Sequence, residues 1–487
     1  MSQPVVNLNE LDGAIGSLPV GSKRAVVLGV ASLTTVAVDT PVAFARTSDI
    51  TTNFLRGPMP ELAARWIGAY RAPAICVRTG QTNVATKATI DITGALGTSI
   101  VTATGATLFD DDVEAYFKVI TGGTIGVAGI TYQWSLDGGR TLSPITALGT
   151  AAVFVFPNSG GGGFSFAAGT MLAGSVIKQR GTAPNWNATE LGTSLEALRV
   201  STFDWEIVLI AGPVDGAAFD VIATAANANP EKTFVCHFRV PAAGETEAAY
   251  KTAFDAIFAA RSNANVIVCA GACDAVSNIS FRSYLRPSIF ATGPMLCSVT
   301  EEVDIALTTL GALPGISIRD ANGNPKHHDE SVNPGLDDSR AAVLRTHDGK
   351  QGVYVNNPRL MSASGSDFEF AQHRRVMALG RRTLRLYFVD RLSRPTLVDA
   401  RTGFILEAEA LEIEAGADSL MRAVLRAKPK CSGGGIDGKA ARFCKVSRTD
   451  NLLSTKTMSV QGAIIPLAYP KVINIDLGFK NPALQPV

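Results

Sequence analysis

The sequence predicts an α/β protein interrupted by a β-rich insertion and followed by an α+β C-terminal domain. Three patterns carry that expectation. Short continuous apolar runs alternate with helical spacings over residues 23–80 and again over 186–345, which implies a parallel sheet with helical crossovers. Residues 81–185 switch to Thr, Val, Ile and Gly with period-two alternation and frequent turns. Residues 346–470 mix strand and helix patterns with an unusual segregation of charge.

Residues 1–22 alternate weakly around Val5, Val6 and Leu8 and then meet Gly13, Gly16, Pro19 and Gly21, so they read as an extended arm. RAVVLGV (24–30) suits a strand buried on both faces. MPELAARWIGAYRA (59–72) places Leu62, Ala63, Trp66, Ile67 and Tyr70 at helical spacing, and APAICVR follows as a second strand. Together they form a βαβ unit.

In the insertion, TKATIDIT and AYFKVITGG alternate as strands, and ITYQWSLDGGRTLSP predicts a hairpin turning at Asp137-Gly138. The run Gly160–Gly163 lacks the Lys-Ser/Thr of a phosphate loop and is expected to be a connection between strands. The α/β rhythm then resumes. WEIVLIAG (205–212), TFVCHFRV (233–240) and NVIVCAG (265–271) read as strands and FDVIATAANAN as a helix. Tyr250, Phe254, Ile257 and Phe258 form one helical stripe.

A chain of 487 residues exceeds one compact core and suggests about three domains. Its 44 basic residues barely outnumber its 43 acidic ones, so the basic excess expected of a chain bound along nucleic acid is absent. No run of about 18 apolar residues suggests a membrane span. The N-terminal stretch lacks the basic and apolar regions of a secretory signal, so folding in the cytoplasm is expected. The 7 cysteines are too sparse for a disulfide scaffold. Cys269 and Cys273 are four apart, unlike a zinc or redox pair, and read as buried thiols.

Two motifs invite a chemical reading. Gly192-Thr193-Ser194 resembles the nucleophile turn of a serine hydrolase, but a triad of that type needs a histidine ahead of the serine, and His237, His327, His328, His347 and His373 all follow it. Ser194 is expected instead to cap a helix N-terminus. RDANGNPKHHDE (319–330) offers Asp320, Asn322 and Asn324 at calcium-loop spacing, yet glycine and the twelfth-position Glu are misplaced. His327-His328-Asp329-Glu330 reads as a solvated loop. No catalytic, metal or cofactor site is predicted, although a serine hydrolase and a metal-dependent adhesin remain alternatives.

The C-terminal region is distinctive in charge. QGVYV alternates as a strand, FEFAQHRRVMALG is helical, and RRTLRLYFVDRLSRP alternates again. From His373 to Arg401, eight arginines face only Asp390 and Asp399. Residues 402–421 hold five acids and no base, on a helix striped by Leu406, Ala410, Ile413, Ala417, Leu420 and Val424. Opposite blocks suit copies that meet in a fixed register, with a solvated face as the plainer alternative. The residues of this candidate assembly surface are Arg374, Arg375, Arg381, Arg382, Arg385, Glu407, Glu409, Glu412 and Glu414.

SKRAVVLGVASL, TSDI with its helix, YQWSLDGGRTLSP, and the block from GVYVNNPRLMS to LGF together resemble the contractile tail sheath proteins of myovirus-type bacteriophages, over most of the chain. The resemblance implies a subtilisin-like α/β domain without catalysis, an outward-facing insertion, an inner domain at 346–470 against the tail tube, and no cofactor. It also implies a virion structural protein that stacks in hexameric rings, contracts to drive the tube through the host envelope, and meets tube, baseplate and terminator proteins. The partners include neither nucleic acid nor an inserted membrane. Terminal arms would exchange strands between copies, with Val5, Val6 and Leu8 at one end and Val472, Ile473, Ile475 and Leu477 in the 471–487 arm. Cys431 and Cys444, which flank a glycine-rich connection, are candidates for a disulfide within or between copies once a particle leaves the reducing cytoplasm.

Overall fold

Five apolar residues in succession, AVVLG, form β1 (Ala25–Gly29), and every one of them is buried. A computed structural model describes residues 25–33, 35–104, 109–157, 159–319, 326–328, 335–363, 365–471 and 473–474. The described residues divide into two compact units between Leu379 and Gly380.

In the first unit β1 is followed by β2 (Pro41–Phe44), α1 (Thr47–Phe54), α2 (Pro58–Tyr70) and β3 (Ala74–Arg78). β3 pairs parallel to β1, Ala25 opposite Ala74, and β2 adds antiparallel at the edge. Gly57 starts α2 at φ +123°, and a Cβ there would stand 2.9 Å from the Val30 carbonyl oxygen, so the close approach requires glycine.

The insertion then contributes β4 (Asp91–Thr93), β5 (Val101–Ala103), β6 (Val113–Thr121), β7 (Gly123–Thr124), β8 (Thr131–Ser135), β9 (Thr146–Ala147), β10 (Val153–Val155), β11 (Gly163–Phe166), β12 (Thr170–Met171) and β13 (Val176–Gly181). They make sheets ordered β4-β13-β6-β8-β9, β10-β11-β5 and β12-β7. Alternate residues of β6 point inward, and Phe117 stacks on Tyr132 at 4.7 Å beside Phe154 and Phe166. Asp137-Gly138 does not form the expected two-residue turn. Asp137 is buried, accepts from the Ser135 hydroxyl and, at 3.0 Å, from Thr141 N–H, and organises a wider loop that returns only at Thr146.

Next come α3 (Ala188–Val200), β14 (Ile207–Pro213), α4 (Gly216–Ala228), β15 (Thr233–His237), α5 (Glu247–Phe258) and β16 (Val266–Cys269). β14 pairs parallel with β1, so strands from both sides of the insertion share one sheet ordered β16-β15-β14-β1-β3-β2. Strand alternation divides its core. Val26, Leu28, Val208 and Ile210 pack against α3, α4 and α5, while Val27, Cys76 and Leu209 face α1, α2 and α6 (Ile289–Ser298).

Around α6 lie β17 (Ala272–Val276), β18 (Ser283–Pro287) and β19 (Ile316–Ser317), and then the hairpin β20 (Leu344–His347) and β21 (Lys350–Val355). Leu344, Val353 and Val355 are buried in the same core as α2, so this hairpin completes the first unit. The boundary expected at 346 falls inside the hairpin, and the second compact unit starts at Gly380.

The division falls within α7 (Ala371–Val389), after which come α8 (Glu407–Met421), β22 (Cys444–Val446), α9 (Leu452–Thr455) and β23 (Val460–Gly462). Residues 384–389 are helical, not a strand. Leu384, Tyr387 and Phe388 satisfy i, i+3, i+4 as well as alternation, and arginine and leucine favour helix. The α8 stripe also differs from expectation. It runs through Ala410, Ile413, Ala417, Met421 and Leu425, leaving Leu420 37% exposed.

Candidate assembly surface

The arginines of α7 divide by environment. Arg375 is 2% exposed; its Nε donates to Glu206 Oε1 at 3.0 Å, and its terminal nitrogens donate to the Leu296, Val299 and Thr300 carbonyls at the end of α6. Arg374, half-buried, donates to Asn265 Oδ1 and the Pro230 carbonyl and lies 4.8 Å from the Phe368 ring. Both were expected on an assembly surface, and both instead serve the interior of the first unit. Arg381 and Arg385 are exposed and Arg382 is half-buried.

The acids of α8 divide similarly. Glu414, 1% exposed, accepts from Arg442 at 2.7 Å, from Arg448, and from the Val446 N–H at 2.8 Å. Asp418 accepts from the Phe443 and Cys444 N–H groups at 2.8 and 2.9 Å. Glu407 pairs with Arg448, and Glu412 lies 3.8 Å from Arg391. Much of the acidic block therefore binds the strand that follows it. Glu414 leaves the surface set because its carboxylate captures β22. The signal was present in RFCKVSR (442–448), whose Arg442 and Arg448 lie beyond the two charge blocks.

Sequence patterning did not single out four exposed apolar residues. Leu386 and Val389, three apart on α7, are 58% and 52% exposed, and Leu392 and Leu397 just beyond are 73% and 65% exposed. Of the expected strand-exchange residues, Ile473 is 74% exposed; Val5, Val6, Leu8, Val472, Ile475 and Leu477 lie outside the described residues.

The hydrolase motif fails on geometry. Asn187, not Ser194, caps α3, forming a capping box with Glu190. Ser194 lies in the helix interior, is fully buried, and donates to Asp39 Oδ1 at 2.5 Å. His237 is saturated elsewhere: its Nε2 accepts from Gly212 N–H at 3.1 Å, its Nδ1 contacts the Phe238 carbonyl at 2.8 Å, and burial pushes its pKa down to about 4. The two loop histidines diverge, His327 toward Asp348 at 3.7 Å and His328 toward Glu247 at 3.6 Å. Asp320, Asn322, Asn324, Asp329 and Glu330 lie outside the described residues, among which no group of three potential metal ligands occurs.

Cys431 and Cys444 are both free and buried, so the structure contains no bond between them. The other five thiols are buried, Cys269 and Cys273 as expected. Among the described residues no helix is long and apolar enough to cross a membrane.

This architecture is similar to solved sheath structures. The sheath of an extracellular contractile injection system (PVC) in the contracted state aligns with a TM-score of 0.54 and 11% identity, covering 99% of this chain and 98% of that one. The anti-feeding prophage helical sheath in the contracted state aligns at 0.51 and 11%, covering 99% and 100%. The sheath tail protein Lin1278 from Listeria innocua aligns at 0.48 and 12%, covering 92% and 93%. No curated protein matches the chain. The fold is that of contractile sheath proteins, a mixed α/β architecture with several sheets. Residues 3–359 match the DUF2586 N-terminal domain, and the chain belongs to the DUF2586 family.

Proposed function

We propose that this protein is the structural subunit of a phage-type contractile tail sheath. Copies polymerise as stacked hexameric rings around a tail tube, joined to baseplate and terminator proteins, and shorten to drive the tube through the host envelope. The subunit is assembled in the host cytoplasm and resides in the virion tail. The observation that carries this reading is fold similarity over 99% of the chain to two sheaths solved in the contracted state.

In this reading the six-stranded sheet is a subtilisin-like platform without catalysis, the insertion faces outward, and the second unit faces the tube. Arg381, Arg382, Arg385, Glu407, Glu409 and Glu412, with the exposed Leu386, Val389, Leu392 and Leu397, form the assembly surface. Terminal arms add strands to neighbouring sheets, which keeps copies connected while their domains rotate.

Negative-stain microscopy of the purified protein tests the proposal, with tubes of uniform diameter expected and a persistent monomer contrary to it. Deletion of residues 1–22 or 471–487 should abolish the tubes. Ser194→Ala should leave tube formation intact, and a serine-directed fluorophosphonate probe should label neither protein; labelling lost in the variant would favour the hydrolase.

A further inference from the structure

Arg286, on β18, is 1% exposed and therefore carries its charge almost out of contact with water. Its terminal nitrogens donate to the two oxygens of Asp111 at 2.7 and 2.6 Å, and its guanidinium lies 5.1 Å from the Tyr284 ring and 5.3 Å from that of Phe290. Asp111 belongs to the insertion and Arg286 to the α/β part, so their ion pair ties the two together. Glu61 of α2, 7% exposed, faces the same arginine across a cavity of about 10 Å³ lined also by Arg65, Ser277 and Phe290.

Arg65, the other cation lining the cavity, is committed to backbone. It donates to the carbonyls of Phe290 at 2.5 Å, Val276 at 3.3 Å and Pro314 at 2.6 Å. One arginine thus serves three carboxylates: Asp111 directly, and Glu61 and Asp112 through space. With Asp111 already paired to the guanidinium, an ionised Glu61 adds a further negative charge that this single cation must balance, and an unpaired buried charge is costly.

Neighbouring groups support this balance. Burial pushes the Glu61 carboxyl up to about 7, Arg286 opposes the rise, Asp111 adds to it, and a hydrogen bond with Ser277 opposes it. Burial also raises Asp112, which accepts from the Ala183 N–H at 2.9 Å, and raises Asp110 to about 6 although Arg56 is 3.5 Å away. The Tyr284 hydroxyl, raised by burial, stays neutral over this range.

We propose that the Glu61–Arg286–Asp111 cluster is a proton-operated joint between the inserted β sheets and the six-stranded sheet, firm while Glu61 is protonated and loosened when it ionises. Because the folded carboxyl lies above its ordinary value, its stabilising contribution is complete below about pH 4.3 and is lost as pH rises through about 7. Arg140, bonded to Glu114 at 3.0 Å and Asp274 at 2.7 Å, and Arg180, bonded to the Pro241 carbonyl at 2.9 Å, keep the parts attached. The joint belongs to the single subunit and does not depend on the assembly proposed above.

The test places spin labels on the full-length chain at Val153→Cys in β10 and Val200→Cys in α3, both exposed positions, while the 7 native thiols are buried. Double electron–electron resonance is recorded at about pH 5.5 and about pH 8.5, on either side of the expected transition. The distance distribution should broaden at the higher pH with a midpoint near 7, and Glu61→Gln should stay narrow at both. An unchanged wild-type distribution, or a Glu61→Gln chain that broadens like wild type, overturns the proposal. If Glu61→Gln fails to fold, the wild-type titration still decides, since a missing or displaced midpoint rejects the joint.

Discussion

Arg375 Nε donates to Glu206 Oε1 at 3.0 Å, and both side chains are almost wholly removed from water. The remaining nitrogens of the same guanidinium cap the Leu296 and Val299 carbonyls at the C-terminal end of α6, groups that no further helical turn can satisfy, and also reach the Thr300 carbonyl. Arg375→Met should therefore cost about 3–5 kcal/mol, because it removes the buried cation that Glu206 Oε1 faces and the donors to the Leu296 and Val299 carbonyls. Arg375→Lys should recover little of that, since an ammonium cannot reproduce the planar fork. Urea unfolding of the full-length chain checks this, and a loss below about 1 kcal/mol, the range of an exposed pair, would contradict the buried role.

The same arginine shows how far the sequence could be read. Apolar runs such as AVVLG and IVLIAG reported their burial directly, because a strand covered on both faces has no polar positions to disguise it. Charge carried no such information. Arg374 and Arg375 looked like Arg381 and Arg382, but a side chain's partners depend on which residues the fold brings near, here Glu206 and Asn265 more than 100 positions earlier. Likewise Ser194 looked like a cap although Asn187, the true one, lies about two helical turns before it.

Glu414 gives a pH-dependent prediction within the second unit. Burial pushes its carboxyl up, but the hydrogen bonds from Arg448 and the Val446 N–H outweigh burial and hold it below the ordinary carboxylate range. Its contribution is therefore present above the unfolded value of about 4.3 and is lost as pH falls through the lower folded value. Glu414→Gln should cost about 1–3 kcal/mol at neutral pH, with the gap to wild type closing in acid. Urea unfolding at several pH values measures the gap, and one that stayed constant into acid would count against the ionised role.

The cysteines make a chemical prediction. Burial raises the Cys431 thiol and pushes that of Cys444 up to about 12, so both are protonated and inert at neutral pH. A thiol-reactive dye should label neither residue in the folded chain and should count all 7 thiols after denaturation. Assembled particles should run identically on reducing and non-reducing gels. A dimer band that disappears with reductant would restore the cross-linked arrangement.

Gly416 and Tyr387 should behave as a coupled pair. A Cβ on Gly416 of α8 would run into the Tyr387 hydroxyl, which donates to the Ile413 carbonyl at 3.0 Å. Alanine is ordinarily better than glycine inside a helix by about 1 kcal/mol. Here the steric conflict opposes that gain, and Gly416→Ala should be destabilising by about 1–3 kcal/mol. Tyr387→Phe alone should lose about 1 kcal/mol with its hydrogen bond. In the double variant the clash and the hydroxyl vanish together, so the alanine keeps its helix advantage and the combined loss should be smaller than the sum of the single losses. Urea unfolding of the four proteins reads this coupling directly; simple additivity would mean that the glycine is not held there by the tyrosine.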